Sequence, residues 1–183
     1  QVFAVDDALS DNTGAMIEPL SIAMHAVLQT SPKEHEPVLV IGSGAIALGV
    51  IWSLRATGYQ GTLVAQAKRA HEQELALKMG ATEVVTPGPE ARQALVDTGA
   101  SAYMPIVGPE VFAGGGFPLI YDCVGNDSSL SQSLRFASPR AQPFNLRLMS
   151  VMIMAWAILS AIRGILPAPM CQVAYISYPP HHR

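Results

Sequence analysis

Charge is scarce in this sequence, and charge of one sign stops partway along it. Only 14% of the 183 residues are charged, and all fourteen acidic residues lie at or before Asp127. With a net charge of −3 there is no basic excess to hold a phosphate backbone, so nucleic acid is excluded as an expected partner. Cysteine is nearly absent as well. Cys123 and Cys171 have neither metal-ligand spacing nor the density of a disulfide framework, which points to a reduced, cytoplasmic setting. The apolar run Leu148–Ile162, between Arg147 and Arg163, counts 15 residues. That is short of the ~20 needed to span a bilayer, so a membrane is not the expected partner. The opening Gln1–Val2–Phe3 shows neither a secretory pattern nor an initiator Met, as expected of a piece cut from a longer chain.

What is present is glycine at two telling places. Val38–Leu39–Val40–Ile41 reads as a buried strand, and Gly42–Ser43–Gly44–Ala45–Ile46–Ala47 follows it and opens a helix. This is the Gly-x-Gly-x-x-Ala form of the dinucleotide fingerprint. Gly42 takes the tight turn, Gly44 removes the side chain that would block a pyrophosphate, and Ala47 lets helix and strand lie close. The freed amides and the positive helix end then meet the phosphates.

Around that stretch the chain alternates. Asp11, Asn12 and Thr13 offer capping oxygens for a helix over about 15–29, with Pro19 in its first turn. After the fingerprint helix, which stops at Gly58, come a strand at 62–67 and a helix at 71–80 with Leu75 and Met79 inward. A strand at 83–85 and a helix near 90–97 follow, and the Gly- and Pro-rich stretch 99–116 reads as loop. The strand 118–124 then ends at Gly125, and a helix capped by Asn126 or Asp127 carries Leu130, Leu134 and Ala137. Strands and helices in this alternation predict an α/β fold: a Rossmann-type, doubly wound parallel sheet, incomplete, with an atypical apolar C-terminal segment. Its expected parts are a linker and connecting helix at 1–36, an NAD(P)-binding domain at 37–140, and a tail at 141–183.

In such sheets ligands sit beyond the carboxyl ends of the strands. The second strand ends at Gln66–Ala67–Lys68–Arg69, with no acid before Glu72 to accept from a free ribose 2′-hydroxyl. Two cations suit a 2′-phosphate better, so the reading leans to NADP over NAD. The alternative is a solvated helix start. Cys123, Val124 and Gly125 fall where a nicotinamide would rest, Cys123 as a small apolar residue rather than a nucleophile, since nothing nearby in sequence would activate its thiol.

Three stretches together resemble the medium-chain, zinc-dependent alcohol and polyol dehydrogenases: Gly14–Val27, the fingerprint, and Leu119–Gly125 with the helix after it. Lys78–Val85 is similar to that family's approach to its third strand. The resemblance implies a nicotinamide dinucleotide and hydride transfer to or from a small alcohol or carbonyl substrate polarised by zinc. It also leaves a homo-oligomer open. By the same resemblance Glu18, in Ile17–Glu18–Pro19–Leu20, stands where the family places a zinc ligand. The family's Cys ligand and Gly-His-Glu ligand, from a GroES-like domain, have no counterpart in this sequence. His25, His35 and His71 lack the spacing to replace them. Read from its own position, Glu18 is a carboxylate favoured by the helix dipole. The expectation is a nucleotide-binding portion that is not catalytically complete by itself, with zinc not held by this chain alone.

After Arg140 the sequence departs from the family, losing its acids and taking up four of its eight methionines. A shifted reading frame or gene fragment would explain the change, and loss of later strands would leave an unpaired sheet edge. Two rivals follow. One is a non-catalytic remnant or interaction module associating through Leu148–Ile162. The other is a zinc-independent quinone reductase of the same superfamily, against which Glu18 counts.

Overall fold

A computed structural model describes residues 6–30 and 32–145. In chain order these form α1 (Asp11–Ala15), α2 (Ile17–Thr30), β1 (Val38–Ile41), α3 (Ala45–Ala56), β2 (Leu63–Gln66), α4 (Ala70–Met79) and β3 (Glu83–Val85). Then come α5 (Pro89–Asp97), β4 (Ser101–Tyr103), β5 (Val111–Ala113), β6 (Phe117–Asp122), α6 (Asp127–Phe136) and β7 (Ala137–Asn145). Five strands make one parallel sheet in the order β3-β2-β1-β6-β7. Every residue of β1 and β2 is buried, as expected of parallel strands covered on both faces.

Alternation within the strands sorts the core. Leu39, Ile41, Val64 and Ile120 pack with Ala91, Ala94 and Leu95 of α5 and Phe136 of α6. On α3, Gly49 lets α2 come close: a Cβ there would stand 3.0 Å from the Cβ of Ala23. The far end of α2 is fastened to the sheet by a hydrogen bond between the hydroxyls of Thr30 and Tyr121. Burial pushes the Tyr121 phenol up to about 12, outweighing the Thr30 bond, so it remains a neutral hydroxyl at physiological pH.

Several expectations are corrected. Ser10, not Asp11–Thr13, caps the first helix, accepting from the Thr13 amide at 3.3 Å, and Asp11–Ala15 is a short helix of its own. The stretch 99–116 contains an antiparallel hairpin, β4 with β5. On α4 the buried residue is Ala76, while Leu75 is exposed. On α6 the inward positions are Ser129, Ser133 and Phe136, and Leu130 and Leu134 face solvent. The serines tolerate burial because their hydroxyls are satisfied, Ser129 by Asp122 at 2.9 Å and Ser133 by the Ser129 carbonyl at 2.8 Å. Ala137 lies beyond the helix, in β7.

The sheet does not stop at β6. β7 pairs parallel with it and runs across residue 140 as far as Asn145, so the change in composition falls inside a strand. Pro139 and Pro143 cannot donate to a ladder, and they are accommodated because β7 comes last in the strand order. The apolar run Leu148–Ile162, Cys171 and the C-terminal histidines lie outside the described residues. Among the described residues no helix is long and apolar enough to cross a membrane.

Candidate functional site

The chain leaves β1 towards β2 on one side and returns to β6 on the other, so the strand order reverses between β1 and β6. A crevice necessarily opens there, outside the carboxyl ends of the strands. It is a cleft of about 380 Å³ whose walls include Gly42, Ser43, Gly44, Lys68, Arg69 and Val124. Residues far apart in sequence are thus brought together around one cleft.

Each glycine of the turn has its own geometry. Gly42 has φ +120°, a conformation L-residues rarely adopt, and a Cβ on it would lie 3.2 Å from Val124 Cγ2 and 3.4 Å from Cys123 Cβ. The turn is therefore pressed against the 123–124 segment. Gly44 is different: its backbone is ordinary extended (φ −77°, ψ −178°), and an added Cβ would meet nothing within 4 Å. The bare backbone there faces open space. Gly44 is also the N-cap of α3, and no side chain caps that helix; its first turn, from Ala45 and Ile46, carries no acid. The first amides of α3 lack intrahelical partners, the standing requirement for binding an anion.

The opposite lip is built around Asp122, which is buried to 1% exposure at the end of β6. Its Oδ1 accepts from the amides of Val124 (3.0 Å) and Gly125 (2.9 Å), and its Oδ2 accepts from Ser129 Oγ (2.9 Å). These bonds shape the turn that carries Cys123–Gly125. Cys123 is half-buried, and burial, reinforced by the neighbouring Asp122, pushes its thiol well above the ordinary cysteine range. It therefore remains protonated, in keeping with a packing role.

At the end of β2, Lys68 and Arg69 are exposed, and among the described residues Lys68 has no ion pair. Arg69 is paired with Glu72 at 3.2 Å. Glu72 also accepts from the Arg69 amide at 3.1 Å, and it shares the cleft wall with Ser43. Burial would raise the pKa of this carboxyl. The Arg69 amide, the Ser43 hydroxyl and the charges of Arg69 and His71 outweigh it and hold the group below the usual carboxylate range. Behind them the amides of Gln66 and Gln132 exchange two hydrogen bonds, at 3.3 and 2.9 Å, fastening β2 to α6.

Sequence reasoning missed three of these contributors. Glu72 stood in the sequence only as the first acid after Lys68 and Arg69, and its place in a capping box with Arg69 is seen in the structure. Neither Asp122 nor the glutamine pair had a one-dimensional signal, because each acts through partners on other elements. Glu18 lies exposed in the first turn of α2, and no group of three His, Cys, Asp or Glu side chains among the described residues could hold a metal ion. A zinc site does not fit these residues.

No family model matches the chain. Over 144 residues, 79% of the chain, it is 30% identical to a Saccharomyces cerevisiae protein named probable diacetyl reductase 2, (R)-acetoin forming, of which the match covers 32%. A Sinorhizobium meliloti 1021 structure described as a zinc-binding dehydrogenase bound to NADP matches with TM-score 0.60 and 27% identity, over 79% of this chain and 39% of that one. An Escherichia coli CFT073 alcohol dehydrogenase complexed with NADH matches with TM-score 0.61, over 78% and 38%; at 23% identity this is a likeness of fold. The chain spans well under half the length of each of these relatives.

Proposed function

The chain matches the nucleotide-binding domain of the medium-chain, zinc-dependent alcohol and polyol dehydrogenases, and on that premise we propose that it binds a nicotinamide dinucleotide in the β1/β6 cleft. The observation that carries this is Gly44: a bare, unstrained backbone open to the cleft, at the head of a helix with no capping side chain. In this reading the amides at Gly44, Ala45 and Ile46 and the Ser43 hydroxyl receive the pyrophosphate, with Gly42 giving the turn. Lys68 and Arg69 meet the adenosine ribose end. Val124 and Gly125, with Cys123 behind them, bound the nicotinamide. When bound, the nicotinamide would donate or accept hydride, the partner being a small alcohol or carbonyl.

What these residues do is bind and orient. Val124 and Gly125 would hold the ring at the lip of the cleft, and the buried Asp122 fixes that lip through its bonds to their amides and to Ser129. Among the described residues the titratable side chains of the cleft, Lys68 and Glu72, stand at the end of β2 and not beside Val124 and Gly125, where the ring would lie. Glu18 by itself would not retain zinc, since catalytic zinc takes three protein ligands. We therefore propose that this chain is the cofactor-holding portion of an oxidoreductase, spanning 37–140 with β7 continuing beyond. With NADP and zinc added it is expected to give no alcohol turnover, checked by following nicotinamide absorbance at 340 nm. Measurable turnover would overturn the incompleteness.

Calorimetric titration with NADPH and NADH tests the central claim, and absence of heat from both would refute it. A preference for NADP rests on the cations at 68–69, as a fixed positive charge offsets the 2′-phosphate. Lys68→Ala is then expected to weaken NADPH by about tenfold, the loss of one charge-assisted contact, and to leave NADH nearly unchanged. Equal weakening of both would assign Lys68 to the pyrophosphate instead.

A further inference from the structure

The carboxylate at the cleft wall is placed awkwardly for a site expected to take an extra phosphate. Glu72 lines the same cleft as Ser43, which stands between the two glycines. It holds Arg69 through both the amide (3.1 Å) and the guanidinium (3.2 Å). Its side chain is only 18% exposed, whereas that of Arg69 is 72% exposed. The acid is therefore seated in the cleft wall, and the cation lies out on it.

Resting on the dinucleotide reading above, we infer that Glu72 sets the cleft's cofactor selectivity, restraining its affinity for a 2′-phosphate by occupying Arg69 and by placing a negative charge beside it. A ribose 2′-hydroxyl can donate to a carboxylate, so NAD meets an acceptor. A 2′-phosphate brings further negative charge. It must draw Arg69 away from an existing ion pair and lie near the carboxylate it displaces, leaving Lys68, which among the described residues has no ion pair, to meet it. The acid that the end of β2 lacks is thus supplied from the first turn of α4. It arrives from three residues further along, because the helix start folds back over the strand end.

The test is Glu72→Gln, which keeps an oxygen for the Arg69 amide and so preserves the helix start. Calorimetry with two fragments, 2′,5′-ADP and ADP-ribose, isolates the adenosine end from the nicotinamide. The substitution is expected to tighten 2′,5′-ADP by about tenfold, the size of removing one like charge a few ångströms from a partly solvated phosphate. ADP-ribose should be unchanged or slightly weakened. An equal shift for both fragments, or none, overturns the role of Glu72 while leaving the dinucleotide reading intact. If the unsubstituted chain binds neither fragment and neither dinucleotide, the cleft reading falls and this inference falls with it. An unfolding midpoint unchanged in Glu72→Gln separates selectivity from stability.

Discussion

Replacing Gly44 by Val is expected to remove dinucleotide binding while leaving the fold in place. Most glycine substitutions confuse the two effects, and this one separates them for a geometric reason. The backbone at Gly44 already has dihedrals any L-residue adopts, and a Cβ would touch no atom of the protein within 4 Å. The valine methyls would project into the cleft, over the amides that begin α3. A pyrophosphate held off by the width of a methyl group loses its hydrogen bonds to those amides. Each charge-assisted bond contributes about 1.5–3 kcal/mol, so losing two weakens affinity by at least about a hundredfold. On the stability side, Val is a poorer N-cap than Gly, which costs up to about 1 kcal/mol, and the reduced freedom of the unfolded chain offsets part of that. Titration of NADPH into G44V, beside a thermal melt, checks both halves. Retained binding would mean that phosphate does not approach here. Gly42→Val makes the contrast: with φ +120° and Val124 3.2 Å from the new Cβ, it should damage folding and binding together.

Asp122→Ala is expected to have the largest effect on stability, about 3 kcal/mol. The carboxyl is 1% exposed, and its removal takes an acceptor from the amides of Val124 and Gly125 and from the buried Ser129 hydroxyl. An unsatisfied buried donor costs about 1–3 kcal/mol, and the serine recovers part of its loss by turning its proton to the Asn126 carbonyl, 3.1 Å away. Asp122→Asn should cost far less, under about 1 kcal/mol, since the amide oxygen still accepts both backbone bonds and its NH2 can donate to Ser129 Oγ. Urea unfolding of the two variants measures the difference. The binding consequence is directional. In D122A the lip that bounds the nicotinamide loosens, so NADPH should weaken more than 2′,5′-ADP, which does not reach that lip. Equal stability of the Ala and Asn variants would show that the acceptor role assigned to Asp122 is wrong.

Much of this architecture was legible in the sequence, and the parts that were not share a cause. β1 announces itself through four consecutive buried aliphatics. The turn after it is spelled by glycine spacing, and Gly80 marks the end of α4 with a left-handed cap at φ +113°. Such signals are local. β7 was missed because its two prolines do not suit a strand by themselves and a boundary was set at 140; the ladder it joins is supplied by β6, more than a dozen residues away in sequence. The hairpin at 101–113 hides in three-residue strands among glycine and proline. On α6 the leucine spacing pointed to the wrong face, because Asp122 and the Ser129 carbonyl give two serines partners that sequence does not reveal. The glycine turn was visible in advance, whereas Glu72 joined the wall of its cleft only once the start of α4 was folded beside Ser43.

The close approach at Gly49 also bears on what can be substituted far from the cleft. The methyl of Ala23 and the Leu20 side chain stand between that glycine and α2, so any larger residue at position 49 must push apart the helix that begins beside Glu18 and the one that begins at Gly44.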